Sequence, residues 1–120
     1  MNPFAPAPVK PEVETEVLEK LDVRVGTILR VEPVERSDKL VVLEVDLGDH
    51  RRRIVVGLRQ EREHPEEVEG RQALFVVNLP PRRLRGGLSE GMLFDIGYAD
   101  GIRPVLAQPE TPVPNGTRAG

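Results

Sequence analysis

The 120-residue chain has no cysteine and no tryptophan. Without cysteine there are no disulfide frameworks, thiolate metal sites or cysteine nucleophiles. Aromatics are scarce, limited to Phe4, Phe75, Phe94 and Tyr98. A protein that grips single strands by stacking bases on rings needs more of them, and Phe75 and Phe94 sit in apolar runs that read as core. No apolar stretch approaches the roughly 18 residues that span a bilayer, so no membrane contact is expected. The opening MNPFAPAPVKPEVE lacks the basic start and continuous apolar stretch of a signal peptide. The expectation is a cytoplasmic protein. An excess of positive charge is missing too: the formal net charge is −3, where a dedicated nucleic-acid binder is usually basic.

What is present is a β-branched composition and an uneven distribution of charge. Acidic residues gather at Glu12, Glu14, Glu16 and Glu19 and again from Glu61 to Glu69, whereas arginines gather at Arg51, Arg52, Arg53 and Arg59 and at Arg82, Arg83 and Arg85. A local basic face is compatible with a negative total. The same charges also fit plain surface ion pairing.

The chain reads as one domain of residues 15–108 between a Pro-rich flexible tail (1–14, with Pro3, Pro6, Pro8 and Pro11) and an irregular tail (109–120). Thr15 is placed to cap a helical turn through Lys20. From Leu21 the apolar and polar residues alternate, as in a half-buried strand, with Gly26 suggesting a bulge. Further strands are expected over Leu40–Leu47, Arg52–Val56, Ala73–Val77 and Met92–Ile96, with a possible extra strand over Ile102–Leu106. In the second strand, Leu43, Val45 and Leu47 should point inward. A helical turn is expected after Pro65. Five strands with a helical connection between the third and fourth describe an all-β OB-fold barrel with N- and C-terminal extensions.

The candidate motifs are few. Gly87-Leu88-Ser89-Glu90-Gly91 matches G-x-S-x-G, yet a nucleophile elbow needs a strand-to-helix turn and a later histidine. Here a strand follows, and His50 and His64 both come earlier. Neither histidine has a ligand at metal-like spacing, and there is no phosphate-binding glycine pattern. No catalytic residue, metal or cofactor is expected. What remains is Pro80-Pro81-Arg82-Arg83-Leu84-Arg85-Gly86-Gly87. It reads as a stiff loop holding guanidiniums, whose planar donors suit phosphate oxygens.

Leu21-Asp22-Val23-Arg24-Val25-Gly26, Ser37-Asp38-Lys39-Leu40, Val45-Asp46-Leu47-Gly48 and the run from Asn78 to Met92 occur in that order. The set resembles the tRNA-binding domain at the C-terminus of many bacterial methionyl-tRNA synthetases. That domain also occurs as stand-alone dimeric structure-specific tRNA-binding proteins, in the endothelial monocyte-activating polypeptide and in CsaA-type secretion chaperones. The likeness runs from about Glu19 to Leu106. It implies an OB-fold, a homodimer, and recognition of the outer corner of tRNA by backbone and shape. By the same resemblance, Lys39 faces RNA from the loop before the second strand, and Arg83, Arg85, Ser89 and Met92 face it from the opposite loop. With Ser37, Asn78 and Arg82 from the same runs, these form the candidate RNA-binding set, although Met92 reads equally well as packing. The expected partners are tRNA, a second copy, and either an aminoacyl-tRNA synthetase or, in the chaperone reading, an export substrate polypeptide.

Overall fold

The computed structural model describes residues 4–120, so Pro3 of the expected tail lies outside them. Residues 4–14 form no regular element and are exposed, with Ala7 N–H donating to Asp100 Oδ1 at 3.0 Å. A short helix, α1 (Thr15–Glu19), follows. Glu14, not Thr15, occupies its cap position and makes no side-chain cap bond.

The long β1 (Val23–Pro33) is the axis of the fold. Its second half pairs with β2 (Val41–Asp46), which pairs in turn with β3 (Arg51–Val56); all pairs are antiparallel. Two short connections follow, α2 (Leu58–Glu61) and the expected 3₁₀ turn, Pro65–Val68. β4 (Gln72–Val76) then returns along the first half of β1, from Thr27↔Gln72 to Val23↔Val76. After a hairpin of β5 (Arg82–Leu84) and β6 (Gly87–Ser89), β7 (Met92–Leu93) pairs with β4. The main sheet therefore runs β3-β2-β1-β4-β7.

This sheet curls into a nearly closed five-stranded OB-like barrel. The seam between β3 and β7 is bridged by the segment after β6. Glu90 N–H donates to the Arg53 carbonyl at 2.9 Å, and Val55 N–H donates to Ser89 Oγ at 3.0 Å. Arg52 Nη1 reaches across to the carbonyls of Val77 and Glu90, at 2.5 and 3.0 Å. These bonds satisfy strand edges that would otherwise be open.

The curl has two local causes in β1. The register with β2 shifts between Ile28 and Arg30, so the bulge falls at Leu29 rather than at Gly26. A bulge bends its strand and raises the local twist. Gly26 instead permits close packing, since a Cβ there would lie 2.6 Å from Val45 Cγ1 and 2.9 Å from Leu47 Cδ2.

Inside the barrel, Ile28, Leu43, Val45, Leu47, Ile54, Val68 and Phe75 are each at most 1% exposed. Leu43, Val45 and Leu47 point inward as their alternation predicts. The 3₁₀ turn contributes Val68 to the same core. A second, smaller cluster of Val34, Val42 and Val55 packs with Leu40 and Leu84, so the hairpin covers residues that alternation alone would leave to solvent.

The end of the chain departs from the expected single fifth strand. Met92–Leu93 belongs to the barrel, but β8 (Asp95–Ile96) turns away to pair with β9 (Val105–Leu106). Phe94, expected in the core, lies at this change of direction and is 47% exposed. The segment after Pro109 has no regular element, yet it is bound to β1. Val25 N–H donates to the Thr117 carbonyl, Gly116 N–H to the Val25 carbonyl and Ala119 N–H to the Val23 carbonyl. Gln72 and Thr27 hold Asn115 through their side chains. No described helix is long and apolar enough to cross a membrane.

Candidate nucleic-acid interface

Two chain segments meet on the outer face of β2 and β3. One is the loop from Val34 to Leu40, tightened because Ser37 Oγ accepts the N–H groups of Lys39 and Leu40 at 3.3 and 3.0 Å. The other is the β5–β6 hairpin. Arg82 and Arg83 lie on its first strand, so the expected stiff loop is paired backbone, with Arg82↔Ser89 and Arg83↔Leu88 in register.

The two segments are locked together at the hairpin tip. Arg85 Nη1 donates to the carbonyl of Arg36 at 2.8 Å. Arg36 is the one described non-glycine residue with positive φ, at 61°, a backbone state that costs energy and persists where its surroundings hold it. Gly86 lies against the loop so closely that a Cβ would be 2.8 Å from Val34 Cγ2 and 3.0 Å from Val42 Cγ2. A groove lined by Glu32, Glu35, Arg36, Arg53, Arg85 and Gly86 runs between the segments, with a volume of about 540 Å³. Arg59 supports the loop from below, donating through Nη1 to the Ser37 carbonyl at 2.8 Å.

The candidate set therefore divides. Lys39, Arg82 and Arg83 are exposed, and none joins the ion pairs found among the described residues. Their donors are free for a ligand. Met92 is 47% exposed and lines a separate cavity of about 210 Å³ beside the hairpin, together with Leu58, Leu79, Leu84, Glu61 and Asp95. Ser37 and Arg85 hold the loops to each other. Asn78 ties α1 to β1: its Nδ2 donates to the Lys20 carbonyl at 2.6 Å and its Oδ1 accepts Asp22 N–H at 2.8 Å. Ser89 is 4% exposed, its hydroxyl accepting from Val55 N–H and donating to the Gly91 carbonyl. That places Ser89 in the barrel seam, on a strand, which is not the geometry of a nucleophile elbow.

Arg36, Arg53 and Arg59 also border this surface and were missing from the candidate set. Arg53 and Arg59 belong to a basic cluster visible in the sequence, but nothing local marked Arg36. Among the described residues, no group of three or more His, Asp or Glu side chains is arranged to hold a metal ion.

A small OB-like barrel with exposed guanidiniums on two joined loops defines a class of oligoanion-binding modules. Residues 23–118 match the family described as "Putative tRNA binding domain", and the chain belongs to this tRNA-binding domain family. It is 40% identical to a methionine–tRNA ligase of Stenotrophomonas maltophilia, over 93% of this chain but only 18% of that enzyme. Among solved structures, a MetRS-related protein from Pyrococcus horikoshii superposes with a TM-score of 0.84 at 32% identity, covering 92% of this chain and all of that one. The chaperone CsaA of Bacillus anthracis superposes with a TM-score of 0.77 at 30% identity, with the same coverage.

Proposed function

We propose that this chain is a non-catalytic, structure-specific tRNA-binding protein that reads the backbone and shape of folded tRNA, as an accessory to aminoacylation or RNA handling. The observation that carries this reading is the two-loop surface. The bond from Arg85 to the Arg36 carbonyl pre-orders it and leaves Lys39, Arg82 and Arg83 exposed on its two sides. Ordered guanidiniums lose little entropy on engaging phosphates. With few aromatics for stacking, backbone contacts must dominate. The functional unit is proposed to be a homodimer, on the strength of apolar side chains exposed on α1 and around β8–β9.

The test is retention of folded tRNA by wild type and an Arg83→Glu/Arg85→Glu variant across a salt series. The variant should bind more weakly, with a salt slope lower by about one unit per lost phosphate contact. Equal affinities would remove the hairpin from the interface.

A second reading is supported by the cavity beside Met92, around which Leu79, Leu88, Met92 and Phe94 are exposed. Such a surface suits an apolar segment of an unfolded export substrate, and a chaperone is among the structural relatives. Binding of an unfolded polypeptide that survives high salt, with no retention of tRNA, would favour it.

A further inference from the structure

A second concentration of arginines lies outside the two-loop surface. Arg62 follows α2, Arg71 precedes β4 and Arg103 precedes β9, and all three line one cavity of about 420 Å³ with Pro104, Val105, Leu106 and Gln108. It shares no lining residue with the groove between the loops. Among the described residues, Glu67 is the one carboxylate in ion-pair contact with these guanidiniums, 2.6 Å from Arg62 Nη1 and 3.9 Å from Arg103 Nη2. The hydrogen bond from Arg62, with the nearby charges of Arg62, Arg103 and Arg71, holds the Glu67 carboxyl below its ordinary range.

Three guanidiniums around one carboxylate leave positive charge uncompensated. Arg62 is only 11% exposed at its side chain, and its Nε is buried with no acceptor. A buried donor without a partner is uncommon and calls for an explanation, such as an ion held there in use. Arg103 is 65% exposed, anchored through Nε to the Glu61 carbonyl at 3.1 Å while its terminal nitrogens face outward. A planar donor fork held in place at the rim of a cavity is the arrangement that engages a phosphate with two bonds at once.

We propose that Arg62, Arg71 and Arg103 form a second phosphate-binding site, which takes a backbone phosphate of the bound RNA beyond the reach of the two loops. In that source the site rests on the tRNA reading, while the chemistry of a free phosphate would be the same.

The test uses the full chain and an Arg71→Gln/Arg103→Gln variant, which leaves the buried Arg62–Glu67 pair intact. Thermal unfolding is followed with inorganic phosphate against chloride at equal ionic strength. Phosphate should raise the wild-type midpoint, and the rise should be lost in this variant but kept in Arg83→Glu/Arg85→Glu. In tRNA binding, the salt slope should fall by about two units. Loss of the phosphate response with an unchanged tRNA slope would assign the site to free phosphate and overturn its part in the RNA footprint. An unchanged phosphate response and an unchanged slope would overturn the site while leaving the tRNA reading intact. Failure of wild type to retain tRNA, with the phosphate response still dependent on Arg71 and Arg103, would sink the RNA reading and leave the site standing. Conversion of the variant to a slower-sedimenting monomer with no loss of phosphate response would show that these arginines hold a second copy, which also overturns the proposal.

Discussion

Two carboxyls face the cavity beside Met92, and neither has a cation in contact. Burial pushes Asp95 up from its ordinary range. Burial and then the charge of Asp95 push Glu61 up as well, against a smaller opposing effect of Arg62. A carboxyl raised in the folded state binds its proton more tightly there than in the unfolded chain. Between the ordinary and the raised value the folded state therefore holds more protons, and stability falls as pH rises through that window. Above the window the ionised pair is a standing cost. Asp95→Asn should remove that cost, raising the unfolding midpoint near neutral pH, with the gain shrinking as pH falls through the carboxyl range. A gain of the same size at acidic and neutral pH would show that Asp95 destabilises by some means other than its charge.

The hairpin is the element on which the interface depends, and it was only partly legible. Its arginines and paired glycines stand out in the sequence, but three-residue strands are too short for alternation to show, so β5–β6 reads as a loop. The same limit splits the expected strand Met92–Ile96, because Phe94 is apolar by type and exposed by position. By contrast, β1 to β4 and the turn after Pro65 were legible because their apolar residues alternate, or form one run, over full strand lengths. Ser89 lay within a recognisable run, yet its role in the seam depends on Val55, far away in sequence, and no local pattern encodes that. The hairpin tip offers a charge-neutral test. Gly86→Ala places a methyl against Val34 and Val42, and such overpacking costs about 1–3 kcal/mol. The tip must lift and loosen the bond from Arg85 to the Arg36 carbonyl. Affinity for tRNA should fall at every salt concentration while the salt slope stays near that of wild type, because no cation is lost. A wild-type affinity would mean that the cleft tolerates a displaced tip.

At the scale of the whole molecule, a net charge of −3 coexists with two basic regions because the acids are placed elsewhere, four of them between Glu12 and Glu19 on and just before α1. That end of the chain is also apolar on its surface. Val13, Val17, Leu18 and Leu21 are all 47% exposed or more, as are Ile96, Tyr98, Ile102 and Val105 around β8–β9. Solvent-facing apolar groups gathered on two elements are what a second copy would cover. Leu18 has no part in the barrel core, so Leu18→Glu should leave the fold and its unfolding transition intact while shifting sedimentation from dimer to monomer. The effect should extend to RNA. A dimer presents two clefts to one folded tRNA, and when both engage, the second contact is made at high effective concentration. The monomeric variant should then bind tRNA more weakly, although every cation of its cleft is unchanged. A wild-type chain that sediments as a monomer at micromolar concentration would remove the dimer. A Leu18→Glu monomer with unaltered affinity would keep the dimer and show that each cleft works alone.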